Sequence, residues 1–153
     1  MSQSYSSPTT NAGIALPSAG CPDYEAGNAV ALLAAAVSQL DSSLFGITKY
    51  TAAGAIAFGN GGSGVAALKA GSAAAMTLAN PVVGLPSAGG QDGTRLTIIA
   101  EDAFAYTVTT GTNGLNSSKH VATFAAAVGD NIELIAHSGS WWQVGTPLGV
   151  TLS

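Results

Sequence analysis

The run Arg95-Leu96-Thr97-Ile98-Ile99-Ala100, followed after a short interruption by Tyr106-Thr107-Val108-Thr109-Thr110, decides how this chain folds. Leu96, Ile98 and Ala100 fall on one face of an extended backbone and Arg95, Thr97 and Ile99 on the other, the period of two that a strand imposes. Tyr106, Val108 and Thr110 alternate in the same way with Thr107 and Thr109. Val121 to Phe124 and Ile132 to Ala136 repeat the pattern downstream. Ser138-Gly139 then stands where a tight hairpin turn delivers Trp141 and Trp142 to a further strand. β-Branched and aromatic residues bounded by Gly, Asn and Asp predict pleated, half-buried strands from Gly93 to Val144. Alternation also places the two tryptophans on opposite faces. The expectation is that Trp142 is buried with Val144, and that Trp141 faces a subunit interface or the outside.

Upstream of that stretch the signals are weaker. Thr51 to Phe58 reads as extended, with Ile56 and Phe58 in alternation, and Gly59-Asn60-Gly61-Gly62-Ser63-Gly64 reads as a turn. The glycines do not form a phosphate cradle, because no Gly-Lys-Ser/Thr follows them. Val65 to Ala79 is divided between alanine, which favours helix, and a β-like continuation after Gly71; Ala74 to Leu78 is predicted as a strand. Residues 84–93 and 111–119 are rich in turn formers and read as loops, and Leu148, Val150 and Leu152 alternate as an edge strand. Asn28 to Leu40 is the helix candidate. Ala29, Leu32, Leu33, Ala36, Val37 and Leu40 recur at three- and four-residue spacings behind Asn28 as N-cap. Before it, prolines at 8, 17 and 22 among Ser, Thr, Gly and Ala read as an extended arm, with a solvated tail as the alternative.

The fold class that follows is mainly β: a compact antiparallel β-sandwich or barrel-like domain over 51–153, preceded over 1–50 by an extended N-terminal arm and one short helix.

Composition narrows the function. Of 153 residues only 8% are charged, against about 25% in an average soluble domain. A surface so poor in charge depends on Ser, Thr, Asn and Gly for solvation, or is covered by other subunits. Aromatics are 7% against 47% hydrophobic overall, so the core is built largely of small side chains, which bury less area per residue. Both features point to self-association. The net charge of −4, with Lys49, Lys69, Arg95 and Lys119 scattered, argues against nucleic acid. The apolar run in the helix candidate is too short to cross a membrane. Cys21 is the sole cysteine, which rules out an intramolecular disulfide and a thiolate metal cage. The opening residues carry neither the basic start nor the apolar run of a signal peptide.

Ala74-Ala75-Met76-Thr77-Leu78-Ala79-Asn80-Pro81, Gln91-Asp92-Gly93-Thr94-Arg95-Leu96-Thr97-Ile98, Gly129-Asp130-Asn131-Ile132-Glu133-Leu134 and Gly139-Ser140-Trp141-Trp142-Gln143-Val144 resemble a β-rich domain of tailed bacteriophages. That domain occurs in capsid decoration (cement or head-fibre) proteins and in some tail fibres, and the resemblance spans roughly Gly54 to Val144. It implies a symmetric homotrimer of β-domains on the outer surface of the virion capsid, attached to the major capsid protein by its N-terminal segment. Long fibres carry heptads or repetitive shaft sequence, and this chain has neither, which favours a compact knob on the head.

On this reading Ile14, Leu16, Tyr24, Leu32 and Leu33 contact the capsid, and Leu96, Ile98, Leu134 and Trp142 form the β-core or the trimer interface. No cofactor, metal or catalytic residue is assigned. His120 and His137 lack carboxylate or cysteine neighbours at metal-ligand spacing. Glu101, Asp102 and Glu133 read as solvated turn and strand residues rather than a glycosidase pair, and neither histidine sits in a nucleophile context. The alternative is a tail-fibre or receptor-binding module that recognises host glycan through Gly111–Lys119 and an exposed Trp141.

Overall fold

The structure, a computed structural model, describes residues 10–11, 14–15, 46–58 and 63–153. It divides into two units, Met1–Ser42 and Ser43–Ser153. In the first, β1 (Thr10–Asn11) pairs antiparallel with β2 (Ile14–Ala15), Thr10 opposite Ala15 and Asn11 opposite Ile14. The helix expected over Asn28–Leu40 lies outside the described residues. So do Leu16, Cys21, Tyr24, Leu32, Leu33 and the side chain of Ile14.

The second unit is built from β3 (Ile47–Tyr50), β4 (Gly54–Ile56), β5 (Ser63–Leu68), β6 (Ala74–Leu78), β7 (Arg95–Ala100), β8 (Tyr106–Thr109), β9 (Val121–Phe124), β10 (Asn131–His137), β11 (Ser140–Leu148) and β12 (Val150–Leu152). These form two five-stranded sheets. The first runs β11-β10-β7-β5-β3 and the second β12-β9-β8-β6-β4. Among the described residues the one helical element is a 3-10 turn, Pro86–Ala88.

From β3 to β8 the chain changes sheet at every strand. A parallel pair needs a crossover, and here each crossover is a strand of the opposite sheet. Accordingly β3, β5 and β7 are parallel in the first sheet, and β4, β6 and β8 in the second. From β9 onward every strand pairs antiparallel with its neighbours. The sheets are therefore mixed, which corrects the expectation of an antiparallel domain. The cause lies in the connections: residues 51–53, 69–73 and 101–105 turn a corner between sheets, whereas Ser138 and Gly139, at φ 51° and 79°, make the left-handed two-residue turn that folds β10 back on β11. A second difference concerns Ile47–Tyr50. The sequence assigned it to the N-terminal region, and it is the edge strand of the first sheet.

Both sheets contribute to one core. Leu96, Ile98 and Ala100 of β7 and Ile132, Leu134 and Ala136 of β10 are buried with Tyr106 and Val108 of β8, Met76 and Leu78 of β6, and Phe124 of β9. At about 1.5–3 kcal/mol for each large aliphatic or aromatic side chain, this shared interior is the main stabilising term.

The corners are tied together. The Tyr106 hydroxyl donates to Asp102 Oδ1 at 2.5 Å and accepts from the Ala70 amide at 2.8 Å, while Asp102 Oδ2 accepts from the Gly71 amide at 3.0 Å. One buried phenol thus joins the β5–β6 corner to the β7–β8 corner. Burial pushes the Tyr106 phenol upward, and its hydrogen bond to Asp102 pushes it the same way.

Candidate functional site

Leu96, Ile98 and Leu134 lie in the core, at 2% exposure or less. The tryptophans are reversed relative to expectation. Trp141 is fully buried, its indole Nε1 donating to the Ala79 carbonyl at 2.9 Å and its ring meeting Phe58 edge-on at 4.8 Å. Trp142 is 38% exposed and donates to the His137 carbonyl at 3.1 Å. Register explains the reversal. The two-residue turn pairs His137 with Ser140 and therefore Ala136 with Trp141, and Ala136 shares the inward phase of Leu134 and Ile132.

The carboxylates considered for catalysis are engaged elsewhere. Glu101 bridges Lys49 at 3.2 Å, and Asp102 holds the corner. Glu133 pairs with Arg95 at 2.9 Å opposite Thr97, far from Glu101 beyond the end of β7. His137 Nε2 lies 3.4 Å from the Ser138 hydroxyl. Among the described residues no three of His, Cys, Asp and Glu gather as a metal site. The loop 111–119 packs inward through Leu115, which is buried.

What the second unit presents outward is more specific. On the outer face of the first sheet three rows follow from the register. Trp142, Ile135, Arg95 and Ser63 form one; Val144, Glu133, Thr97, Val65 and Ile47 the next; Leu148, Asn131, Ile99, Ala67 and Lys49 the third. Alternation ordinarily places polar residues outward on a solvated sheet. Here Ile, Val, Leu and Trp supply seven of the fourteen positions, and the charges are internally matched, Arg95 with Glu133 and Lys49 with Glu101.

The second sheet differs. Its outer rows are Thr151, Thr123, Thr107 and Ala75, and Val121, Thr109, Thr77 and Ala55. Its strands carry no charged residue, and hydroxyl groups supply their solvation.

A third feature sits on the β6–β7 connection. Val82, Val83 and Leu85 are each more than half exposed, yet their loop is firmly held. Gln91 Oε1 accepts from the Val82 amide at 2.7 Å, and Asp92 accepts from the amides of Gly84 at 3.1 Å and Ser138 at 2.7 Å. Pinning by side chains keeps this apolar knuckle out of the interior, against the hairpin turn at Gly139. Sequence reasoning read residues 84–93 as a loop and turn and assigned nothing to Val82 and Val83. The signal available to it was a Val-Val pair and a leucine between two prolines, residues that a solvated loop does not require.

Groups that the backbone leaves at a sheet edge are largely spoken for at β11. The Trp141 amide donates to Gly114, the Trp141 carbonyl accepts from Asn116, and the Gln143 amide donates to Asn116 Oδ1. Pro147 offers no amide, and the register shifts between Asn131 and Glu133. From Trp141 to the Gln143 amide this edge is closed to strand addition. No protein-family model, no curated protein and no solved structure matches the chain.

Proposed function

We propose that this chain is a non-enzymatic structural protein of a tailed-bacteriophage virion, a capsid decoration or cement protein that binds the outer head surface as a homotrimer and stabilises the shell. The observation that carries the reading is the character of the outer surface. A unit with few charges, an apolar sheet face and a rigid apolar knuckle is built to be covered by protein. The four motifs of the phage resemblance support it. They fall on β6, on the entry to β7 and its first strand residues, on the start of β10 and on β11, where they form the framework of the fold.

The proposed mechanism is mechanical. The N-terminal segment, with Ile14, Leu16, Tyr24, Leu32 and Leu33, bridges major capsid subunits, while the β-units hold three such segments together. Linking weak contacts raises avidity by about 10² to 10⁴ without any new contact.

Co-sedimentation with undecorated heads tests this. Saturable binding, lost when residues 2–22 are deleted, is expected. A folded protein that ignores heads but adheres to host cells would replace it with the glycan-binding reading. The indole available to a sugar is then that of Trp142 rather than Trp141.

A further inference from the structure

We infer that the outer face of the first sheet is where copies of this chain meet, with Trp142, Ile135, Val144, Ile99, Val65 and Ile47 of one copy packed on the same face of its neighbours, leaving the threonine face of the second sheet to solvent. The inference deepens the oligomeric part of the proposed function and rests on that part alone; it is independent of the capsid.

The two outer faces belong to one small unit and are built under the same scarcity of charge. One solves its solvation with threonine and the other does not. Ile47 is 66% exposed at one edge of the first sheet and Trp142 38% at the opposite edge, so apolar side chains stand at both edges of the face, with the Arg95–Glu133 pair and Thr97 between them. Water gains nothing from such a surface, and burying it releases about 25 cal/mol per Å².

Three observations favour another copy of the chain as the occupant. The first is charge. Each cation on the face has its anion in the same chain, Arg95 with Glu133 and Lys49 with Glu101, so a like face brings no uncompensated charge toward it. Arg95 and Glu133 are about half exposed and sit among apolar neighbours, placed to exchange partners with the same pair of another copy. A strongly basic or acidic partner finds no net charge to match.

The second is size. Five strands about 4.8 Å apart and six residues rising about 3.3 Å each give a footprint of about 20 by 20 Å. That is within a factor of about two of the roughly 800 Å² that one partner contributes to a standard interface. The apolar knuckle at Val82, Val83 and Leu85, beside the β10–β11 turn, adds to it at one end.

The third is the closed edge. Loop 113–116 occupies the outward backbone groups of Trp141 and the Gln143 amide, and Pro147 offers no amide, so the first part of β11 does not extend the sheet into another copy. Face-to-face packing is what this side of the unit has left.

The test uses the full chain, measuring molar mass by light scattering over a concentration series, for the wild type, Ile135→Lys, Ile47→Lys and Thr109→Lys. Ile47 lies at a sheet edge and is mostly exposed, so its lysine variant has little to disturb in the fold, and circular dichroism checks all three. The expected result is an oligomer for the wild type and Thr109→Lys, with the dissociation constant raised about 100-fold or more in the two isoleucine variants, since each copy then buries an unpaired charge. An oligomer that survives both isoleucine variants but fails in Thr109→Lys would overturn the assignment of the face while sparing the homotrimer. A wild-type monomer at all concentrations would overturn both. In that case, protection of Trp142 from an aqueous fluorescence quencher would identify the occupant as residues of the same chain.

Discussion

Replacing Tyr106 with phenylalanine removes one oxygen from the interior and leaves the ring. In the wild type that oxygen donates to Asp102 and accepts from the Ala70 amide, at 2.5 and 2.8 Å. The variant leaves the Ala70 amide without its acceptor and frees one oxygen of Asp102, while the Gly71 amide still holds the other. Asp102 and Ala70 are only partly buried, so water offsets part of the loss. A cost of about 1–2 kcal/mol follows, since an unsatisfied buried partner costs about 1–3 kcal/mol.

With a urea slope of about 2 kcal/mol per molar, the denaturation midpoint falls by about 0.5–1 M with the slope unchanged. The pH dependence is more discriminating. Burial and the Asp102 hydrogen bond raise the phenol above its ordinary value of about 10, so the folded chain holds this proton more tightly than the unfolded one. The resulting stability is fully present below pH of about 10 and is lost as pH rises through the folded value. Tyr106→Phe has no such proton to lose. The stability gap between the two proteins should therefore narrow from pH 9 to 11.5. Equal midpoints at pH 7, or a gap that stays constant or widens with alkali, would refute the corner clamp.

Three further substitutions probe the surface and the core. Trp141→Phe strips the Ala79 carbonyl of its donor and removes volume beside Phe58, and is expected to cost about 2–4 kcal/mol in chemical denaturation. Trp142→Phe should cost less than about 1 kcal/mol, the reverse of what alternation alone suggested. Asp92→Ala removes the acceptor for two backbone amides, Gly84 and Ser138, so hydrogen exchange should accelerate across residues 82–90 while β7 and β8 remain protected.

The antiparallel half of the unit was legible because its strands alternate large with polar residues. Leu96, Ile98, Ile132 and Leu134 announce their face directly, and the Ser138-Gly139 turn supplies the hairpin. The parallel half was legible only in part: the strand read over Ala74–Leu78 is β6 and the extended reading of Thr51–Phe58 contains β4, but β5 was not recognised. In β5 the residues Ala66, Ala67 and Leu68 are all buried, although Ala67 shares the outward phase of its register partner Lys49. A run of alanines carries no period, and propensity then favours helix. The parallel topology was also hidden because each corner looks like a turn between neighbouring strands; nothing local tells a hairpin from a change of sheet.

The tryptophan reversal was within reach of the sequence. A two-residue turn fixes Trp141 opposite Ala136, in phase with Leu134, so the inward member of the pair follows once register is counted from the turn rather than from the larger pattern of alternation. The apolar outer face was half legible, since Thr97 and Ile99 alternate with the core residues of β7. The partners of that face on β3, β5 and β11 emerge only from the cross-strand pairing.

Imaging of decorated heads by electron cryomicroscopy tests the proposed role most directly. The prediction is density in threefold sets on the outer head surface, with the first sheet of each copy turned toward its sister copies and the threonine face toward solvent. Single isolated copies, density confined to the tail, or the threonine faces packed together with the first sheet open to water would contradict it.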